Sequence, residues 1–316
     1  MFGRLKERLL LPHAVTAEFG RVQRALEQME RRIERVQEAL GRIEGRQMDD
    51  GDGSPLQERE FRVFSQWGED GIVRHLTRVV PIERPFFVEF GVEAYHEANT
   101  RFLLTDANWS GLVLDSDAHA IDRIRRSRIH WLHDLTAVQA WLTRDNVDEA
   151  LSTHGAEGPI GLLSIDVDGM DYWIWDAIEC VSPAIVIVEY NFRFGRDASV
   201  TVPYDPDFDR RRAHPSLLYY GASLTALERL GARKGYDLVG CGSAGLNAFF
   251  VRRDLRPASL PALSGHDAWL EGRFHETHEG GGRVKRTAAE QAALVQALPL
   301  QEVGPDGRAH DRGSRA

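Results

Sequence analysis

The sequence predicts an α/β protein with a mostly parallel sheet, preceded by a coiled-coil helix. From about Phe61 onward, apolar runs typical of buried strands alternate with helical patterns, which indicates a parallel sheet covered by helices on both faces. The last two apolar runs are separated by too few residues for a crossover helix, so they must pair antiparallel. An apolar heptad repeat near the start is typical of a coiled coil.

The apolar runs define the expected elements. Parallel strands are expected at 86–90, 111–114, 129–132, 160–165 and 184–188, and the hairpin strands at 236–240 and 247–251. Helices are expected at 97–107, 118–126, 137–151, 172–180 and 217–230, the last ended by Gly231. These elements make a Rossmann-like sheet of five parallel strands plus an antiparallel hairpin.

The chain divides into four segments. Residues 1–47 are the N-terminal helix or coiled coil, and 48–60 form an acidic, glycine-containing linker. Residues 61–255 are the α/β domain, and 256–316 are a C-terminal extension that we expect to be partly disordered.

The first segment carries apolar residues at alternating spacings of four and three, which predicts a homo-oligomer formed through a coiled coil. With Phe19 at heptad position a, Val, Met and Ile occupy position d, which favours assemblies larger than a parallel dimer. The alternative is one amphipathic helix packed against its own domain. The repeat consists of Val15, Phe19, Val22, Leu26, Met29, Ile33, Val36, Leu40 and Ile43.

The bulk composition narrows the classes of partner. A formal net charge of −9 argues against a nucleic-acid-binding protein, which normally carries a basic surface. Only two cysteines occur, Cys180 and Cys241, which favours a reduced, cytoplasmic setting. The start, MFGRLKERLLLP, is either a segment that associates with a membrane surface or a frayed helix end, and the second is favoured.

Acidic residues follow the expected strands at the edge of the sheet where open α/β sheets bind ligands. A crevice lined with carboxylates repels phosphate and suits a cationic or hydroxyl-rich ligand. The turn after the first strand holds Gly91 alone, without the G-x-G-x-x-G run of a dinucleotide site. S-adenosylmethionine meets these requirements, because it has ribose hydroxyls, a sulfonium and an ammonium but no phosphate. The acids are Glu89, Asp115, Asp117, Asp134, Asp166, Asp168 and Glu189.

Two of these positions suggest specific contacts with the cofactor. Asp115 stands where a carboxylate accepts hydrogen bonds from a ribose, and Gly91 leaves its backbone open to a ligand. Each acid alone could equally cap a strand end, but acids at consecutive strand ends favour a ligand site. The candidate cofactor-binding residues are Glu89, Gly91, Asn99, Asp115, Asp134 and Asp166.

Several motifs of the domain resemble those of the FkbM-type class I methyltransferases. They are SQWGEDGI, VEFG, EANTRFLL, GLVLDSD, LLSIDVDGMDYWIWDAI, IVIVEYN and GASLTALERLGARKGYDLVG, which together span about residues 61–253. The resemblance implies an S-adenosylmethionine-dependent O-methyltransferase with a seven-stranded sheet. Its acceptor would be a sugar or glycan hydroxyl of a polysaccharide, a glycolipid or a glycosylated natural product. The chain departs from the family in having GVEAYHEAN where a glycine-rich first motif is usual.

Methylation of a sugar hydroxyl needs a base or a metal ion, since the acidity of the hydroxyl is negligible at neutral pH. The candidate catalytic residues are Asp168, Glu189 and His214, with Asp168 as the leading base. Alternatively, Mg²⁺ lowers the pKa of the hydroxyl, held by oxygen ligands. Its ligands would be Asp166, Asp168, Glu189 and Asn191. A third interpretation of the D-x-D-G motif is a turn that caps the helix at Asp171.

The leading hypothesis is therefore a cytoplasmic methyltransferase that acts on a carbohydrate-containing acceptor. One alternative is a non-catalytic coiled-coil interaction protein that binds S-adenosylmethionine, which the intact acids disfavour. The other is a nicotinamide-dependent oxidoreductase, which the missing G-x-G-x-x-G run disfavours.

Overall fold

The structure is a computed structural model and describes residues 13–48, 54–272 and 277–311. The segment considered for membrane-surface association falls in residues 1–12, outside the described residues. None of the described helices is both long and apolar enough to cross a membrane. Cys180 and Cys241 are both free thiols.

A seven-stranded sheet forms the centre of the domain. The strands up to Arg252 are β1 (Phe86–Phe90), β2 (Ser110–Asp115), β3 (Leu135–Gln139), β4 (Gly158–Ile165), β5 (Val181–Glu189), β6 (Val200–Thr201), β7 (Tyr236–Cys241) and β8 (Asn247–Arg252). All except β6 belong to the sheet, in the order β3-β2-β1-β4-β5-β8-β7. β1 to β5 pair in parallel, whereas β8 is antiparallel to β5 and to β7. The predicted fold class, a Rossmann-like seven-stranded sheet of five parallel strands plus an antiparallel hairpin, preceded by a long helix, is therefore confirmed.

Helices and short strands complete the described part of the chain. The helices are α1 (His13–Gln47), α2 (Glu69–Val79), α3 (Arg101–Asp106), α4 (Ala118–Arg126), α5 (Arg128–Leu132), α6 (Val147–Ser152), α7 (Asp171–Ala177), α8 (Arg210–Ala213), α9 (Leu224–Lys234), α10 (Gly265–Ala268) and α11 (Ala288–Gln296). The last strands are β9 (Thr277–Glu279), β10 (Gly282–Val284), β11 (Gln301–Val303) and β12 (Ala309–Asp311).

Apolar side chains cover both faces of the sheet. Neighbouring strand residues belong to different clusters, because successive side chains of a strand point to opposite faces. Phe87 and Leu162 pack on one side with helix residues such as Leu76, whereas Val88 and Leu163 pack on the other side. Burial on both faces explains why these strands have continuous apolar runs.

The prediction for the third strand is wrong. Residues 129–132 lie in α5, where no residue is buried, and the strand is Leu135–Gln139. This strand begins inside the segment expected to start a helix at 137. Leu135, Ala137 and Val138 are buried in β3, whereas Trp131 and Leu132, the larger apolar residues that suggested a strand, are exposed. Gly231 also does not end α9, which continues to Lys234 and is capped by Gly235.

The described part of the C-terminal extension is folded. β11 pairs antiparallel with β6 and with β12. The side chain of Gln291, in α11, accepts a hydrogen bond from Arg193 Nε at 2.7 Å. The extension thus packs on the chain that follows β5, close to the edge of the sheet where ligands bind.

Gly91 follows β1 at a place where the backbone approaches the end of β4. Its φ is +72°, and a Cβ atom there would overlap the carbonyl oxygen of Asp166. Its amide donates to the carbonyl of Leu114 at 3.0 Å. The space that Gly91 leaves free is therefore filled by the backbone of Asp166, just after β4, and is not left for a ligand as the sequence suggested.

We expect Gly91→Ala to destabilise the domain more than Gly155→Ala does. Both glycines have positive φ, which costs an alanine about 1–2 kcal/mol, but nothing lies within 4 Å of a Cβ at Gly155. Crowding against β4 should add about 1–3 kcal/mol at Gly91. Urea unfolding measures both differences, and equal losses in the two variants would contradict the close approach.

Candidate active site

The predicted acids of four strands meet at one edge of the sheet. Glu89 is near the end of β1, Asp115 ends β2, Asp166 follows β4 and Glu189 ends β5. These strands are parallel, so their carboxyl ends lie side by side and form one crevice.

Asp166, Asp168 and Glu189 form a compact group, called here the carboxylate triad. One oxygen from each lies within 4.8 Å of those of the other two. Burial and the neighbouring carboxylates hold the pKa of Asp166 and of Glu189 well above their usual range. Carboxylate oxygens are the type of protein ligand that Mg²⁺ takes, together with water molecules.

One oxygen of the triad has no partner of its own. Glu189 is only 8% exposed, and among the described residues its Oε2 atom has no hydrogen-bond partner. A buried carboxylate oxygen without a partner costs free energy in the folded protein. A cation or a donor group of a ligand would remove that cost, so the residues present fit a divalent cation.

Arg210 supplies positive charge to the triad. Its Nη1 donates to Asp168 Oδ1 at 2.7 Å, and its Nε donates to the carbonyl of Leu217 at 2.7 Å. The guanidinium carbon lies 3.9 Å from the centre of the Tyr220 ring. Its charge lowers the pKa of both Asp166 and Glu189, although burial and carboxylate repulsion outweigh it.

Arg210 lies in the lid loop, defined as residues 192–215, which covers the end of β4. Phe208 of this loop packs against Gly169, where a Cβ would overlap the ring. The indole nitrogen of Trp141 donates to the carbonyl of Pro206 at 2.8 Å. The lid loop is thus tied to the chain beyond β3 and β4.

The turn after β4 depends on Asp171. The amides of Val167 and Gly169 donate to its carboxylate at 2.8 and 3.0 Å, and burial raises its pKa to about 6. Asp168 has a φ of +55°, a strained conformation for a residue with a side chain. The turn interpretation therefore applies to Asp171, and Asp168 is left to face the crevice.

Glu89 organises the loop after β1. Its Oε1 accepts from the amide of Asn99 at 2.8 Å, and its Oε2 accepts from the amide and hydroxyl of Thr100 at 3.1 and 2.5 Å. Burial raises the pKa of Glu89 to about 7. The Asn99 side chain donates to Ser164 Oγ at 3.1 Å, which joins this loop to β4. Glu89 and Asn99 thus shape the wall of the crevice.

Asp115 holds the other side of the same loop. Its Oδ2 accepts from the amide of Glu93 at 2.7 Å, and its Oδ1 accepts from the amide of Asp117 at 2.8 Å. Glu93 has a φ of +46°, so Asp115 holds a strained segment in place. Asp117 caps α4 through the amide of His119.

Asp134 is not part of this crevice. It precedes β3 and therefore lies at the opposite, amino end of the sheet. Its carbonyl accepts from Gly111 at the start of β2. The prediction of a cofactor-binding role for Asp134 is wrong. It assumed that Asp134 follows a strand at 129–132, whereas Asp134 precedes the actual strand.

Asn191 and His214 have structural contacts. Asn191 is buried, its amide nitrogen donates to the carbonyls of Leu218 and Tyr220, and its oxygen accepts from the Arg193 amide at 3.2 Å. This oxygen is already engaged, so the structure does not support Asn191 as a metal ligand. His214 Nδ1 accepts from the Ser216 amide at 3.2 Å and lies 2.8 Å from Ser216 Oγ, so that nitrogen is not a free base.

Sequence reasoning missed Arg210 but did offer the turn role of Asp171 as an alternative. The run RRRAHP offered three adjacent arginines and no reason to choose one of them. The spacing D-x-D-G-x-D did signal Asp171, since a carboxylate at a helix start accepts from preceding backbone amides.

Neither a protein-family model nor a curated protein sequence matches the chain. A similar solved structure is an O-methyltransferase from Bacillus cereus in complex with SAH, 16% identical, covering 69% of this chain and 88% of that one, with a TM-score of 0.37. A putative O-methyltransferase from Klebsiella pneumoniae is 16% identical over 63% of this chain and 89% of its own, with a TM-score of 0.38. The N-terminal domain of EvdMO1, in the presence of SAH and D-fucose, is 14% identical over 71% of this chain and 96% of its own, with a TM-score of 0.37. Likeness at this level carries no argument about function, and the fold assignment follows from the strand order.

We expect Glu189→Gln to raise the thermal stability of the protein without added metal and to abolish stabilisation by MgCl₂. The amide removes one charge from the triad, and a gain of about 1 kcal/mol corresponds to about 2–4 °C in a domain of this size. Differential scanning fluorimetry with and without MgCl₂ measures both effects. Glu179→Gln, just before the amino end of β5, makes the same chemical change on an exposed residue and should alter neither.

The gain in stability from Glu189→Gln should depend on pH. The pKa of Glu189 is higher in the folded protein than its ordinary value of 4.5, so the folded state binds this proton more tightly. Glu189 therefore costs stability as pH rises above about 4.5, and the advantage of glutamine grows in the same direction. An equal gain at pH 4.5 and at pH 8 would contradict the raised pKa.

Proposed function

We propose that the chain is an S-adenosylmethionine-dependent methyltransferase that acts on a hydroxyl of a carbohydrate-type acceptor. The observation that carries the proposal is the carboxylate triad in the crevice of a methyltransferase-type sheet. The finer assignment, an FkbM-type cytoplasmic enzyme that modifies a polysaccharide, a glycolipid or a glycosylated natural product, is supported by the quoted motifs.

The cofactor half of the crevice is formed by β1, β2 and the loop between Gly91 and Thr100. Asp115 keeps lone pairs that can accept from ribose hydroxyls in addition to the two amides it already binds. The carboxylate of Asp115 lies in this region, which suits an ammonium and a sulfonium and disfavours a pyrophosphate. S-adenosylmethionine supplies, when bound, a methyl group that is electrophilic because it is attached to a positively charged sulfur.

The acceptor half is the carboxylate triad under the lid loop. A hydroxyl oxygen that takes the methyl group forms a C–O bond while the C–S bond breaks, and its proton must be accepted by a nearby group. Asp168 is the leading base, and the raised pKa of Glu189 also suits a proton acceptor. Asp166, Asp168 and Glu189 would hold Mg²⁺, whose charge lowers the pKa of a bound hydroxyl.

Arg210 connects acceptor binding with the lid loop. Its Nη1 donates to Asp168 Oδ1, so an acceptor or cation that takes this oxygen displaces or rearranges Arg210. The stacking of Arg210 on Tyr220 keeps the guanidinium beside the triad after such a rearrangement. Arg210 thereby keeps a positive charge near the acceptor hydroxyl, which favours loss of its proton to the carboxylates before the methyl group is transferred.

The proposal predicts that Asp115→Ala weakens S-adenosylmethionine binding more than tenfold. A carboxylate that binds a pair of ribose hydroxyls contributes about 1.5–3 kcal/mol. Isothermal titration calorimetry measures the affinity, with NAD as a second ligand to test the oxidoreductase alternative. Asp117→Ala removes a neighbouring carboxylate that caps α4 and serves as the matched control. Binding of NAD but not of S-adenosylmethionine to the wild type would refute the cofactor assignment.

We expect Asp168→Asn to keep cofactor affinity and to lower turnover about 10²- to 10⁴-fold, the usual loss when acid–base assistance is removed. Turnover is measured as radiolabelled methyl transfer from S-adenosylmethionine to sugar nucleotides, glycosides and glycolipids, using an acceptor that the wild type methylates. Asp205→Asn, an exposed acid of the lid loop, should retain the wild-type rate.

Treatment of the wild type with EDTA separates the two mechanisms. Loss of activity that Mg²⁺ restores selects the metal-assisted mechanism, and indifference to EDTA selects direct proton abstraction. Wild-type turnover by the Asp168→Asn variant would show that Asp168 is not the base, and its remaining role would be the contact with Arg210. Cofactor binding without methyl transfer to any acceptor would favour the non-catalytic binding protein.

A further inference from the structure

The apolar repeat of α1 is exposed to solvent along its whole described length. Its eight described side chains have exposed fractions between 50% and 72%. They are Phe19, Val22, Leu26, Met29, Ile33, Val36, Leu40 and Ile43. These residues are called the seam below. Exposed apolar patches of this extent mark interaction surfaces rather than ordinary protein surface.

The helix contacts its own domain through the opposite face. Glu34 Oε1 accepts a hydrogen bond from Arg101 Nη2 at 2.7 Å, and Arg42 Nη1 lies 3.4 Å from Asp106 Oδ1. A Cβ at Gly41 would overlap Val63, and one at Gly45 would overlap Arg74, so both glycines allow close packing. With Phe19 at position a, these four helix residues occupy positions b, c, b and f, the outer positions of a coiled coil.

Because the domain contacts the outer positions of α1, the docked helix leaves the seam exposed to solvent. A helix that packed on its domain as an ordinary amphipathic element would bury its apolar stripe. Here the domain takes the polar and glycine face. In addition, residues 21–30 are exposed on all sides, and a helix without tertiary packing gains little stability in water. Within the part of the chain that the structure describes, no segment covers the seam.

A second copy of the same helix fits the seam better than a lipid surface does. Residues 13–47 hold seven arginines and six glutamates, so the flanks of the seam are balanced in charge. Helices that lie on anionic membranes have a strongly basic polar face. Eight half-exposed apolar side chains offer on the order of 800 Å² per copy, which is about what a standard protein interface buries on each side.

We infer that the protein assembles with copies of itself through the seam of α1, with the catalytic domains on the outside of the resulting bundle. Each domain stays attached to the outer positions of its own helix, so bundle formation and domain docking use different faces. The main contacts of α1 with its own domain are with α2 and α3, and we expect the crevice of each copy to stay accessible in such an assembly. Several sites on one particle would favour binding of a polymeric ligand.

The test is the mass of the full-length protein in solution, measured by sedimentation velocity and multi-angle light scattering over a range of concentrations. We expect the wild type to have a multiple of the chain mass of 35.6 kDa. Met29→Glu combined with Val36→Glu places charge at two seam positions and should reduce the particle to a single chain. Gln28→Glu combined with Arg35→Glu adds glutamates one residue earlier, at exposed outer positions, and should leave the assembly intact.

Thermal unfolding monitored by near-UV circular dichroism, which reports on the packing of the aromatic residues, shows whether the domain of each variant is folded. A wild type of 35.6 kDa at all concentrations would overturn the inference. An unchanged mass in a folded Met29→Glu, Val36→Glu variant would also overturn it. Monomeric wild type that sediments with anionic lipid vesicles would assign the seam to a membrane instead.

Discussion

Three carboxylates at the ends of β4 and β5 cannot all be ionised side by side without a positive charge nearby, and the arrangement of the crevice depends on this constraint. The charge comes from Arg210, which is held by Asp168, by a backbone carbonyl and by the ring of Tyr220. Because Arg210 belongs to the lid loop, the contact that offsets repulsion also fixes this loop over the crevice. The bond between Arg210 and Asp168 therefore both offsets the repulsion among the carboxylates and holds the lid loop over the crevice.

The loop after β1 replaces glycines with a carboxylate. Phosphate-binding turns use glycine amides that point at the ligand. Here the amides of Asn99 and Thr100 point at Glu89 instead, and Asp115 takes the amide of Glu93. The protein has therefore satisfied with its own acids the donors that a pyrophosphate would need, which agrees with a cofactor that carries no phosphate.

The sequence predicted the sheet because its strands are buried on both faces and have continuous apolar runs, as in Phe86–Phe90. The acids at four strand ends followed from the same pattern. The prediction from apolar runs failed at β3, because LTAVQ is short and contains two polar residues. As a result, Asp134 was predicted to lie at the carboxyl edge of the sheet, whereas it lies at the amino edge. Arg210 lies 42 residues beyond Asp168 in an irregular loop, and no periodic pattern connects such positions.

Asn191 shows a different limit of sequence reasoning. Its position after β5 suited a ligand, yet its amide is used by the carbonyls of Leu218 and Tyr220 and by the amide of Arg193. Such contacts depend on the path of a loop that only the folded chain defines. Local pattern indicates which edge of a sheet is functional, but it does not show which polar groups are already satisfied.

Arg101 connects α1 with the loop after β1, two parts of the protein that are far apart in the sequence. Its guanidinium binds Glu34 of α1 and donates to the carbonyls of Tyr95 and His96, in the loop that we propose as the cofactor half of the crevice. Order in this loop and docking of α1 are therefore linked equilibria. Linkage is reciprocal, so a ligand that steadies the loop strengthens the hold on the helix by the same factor by which the docked helix raises the affinity for that ligand.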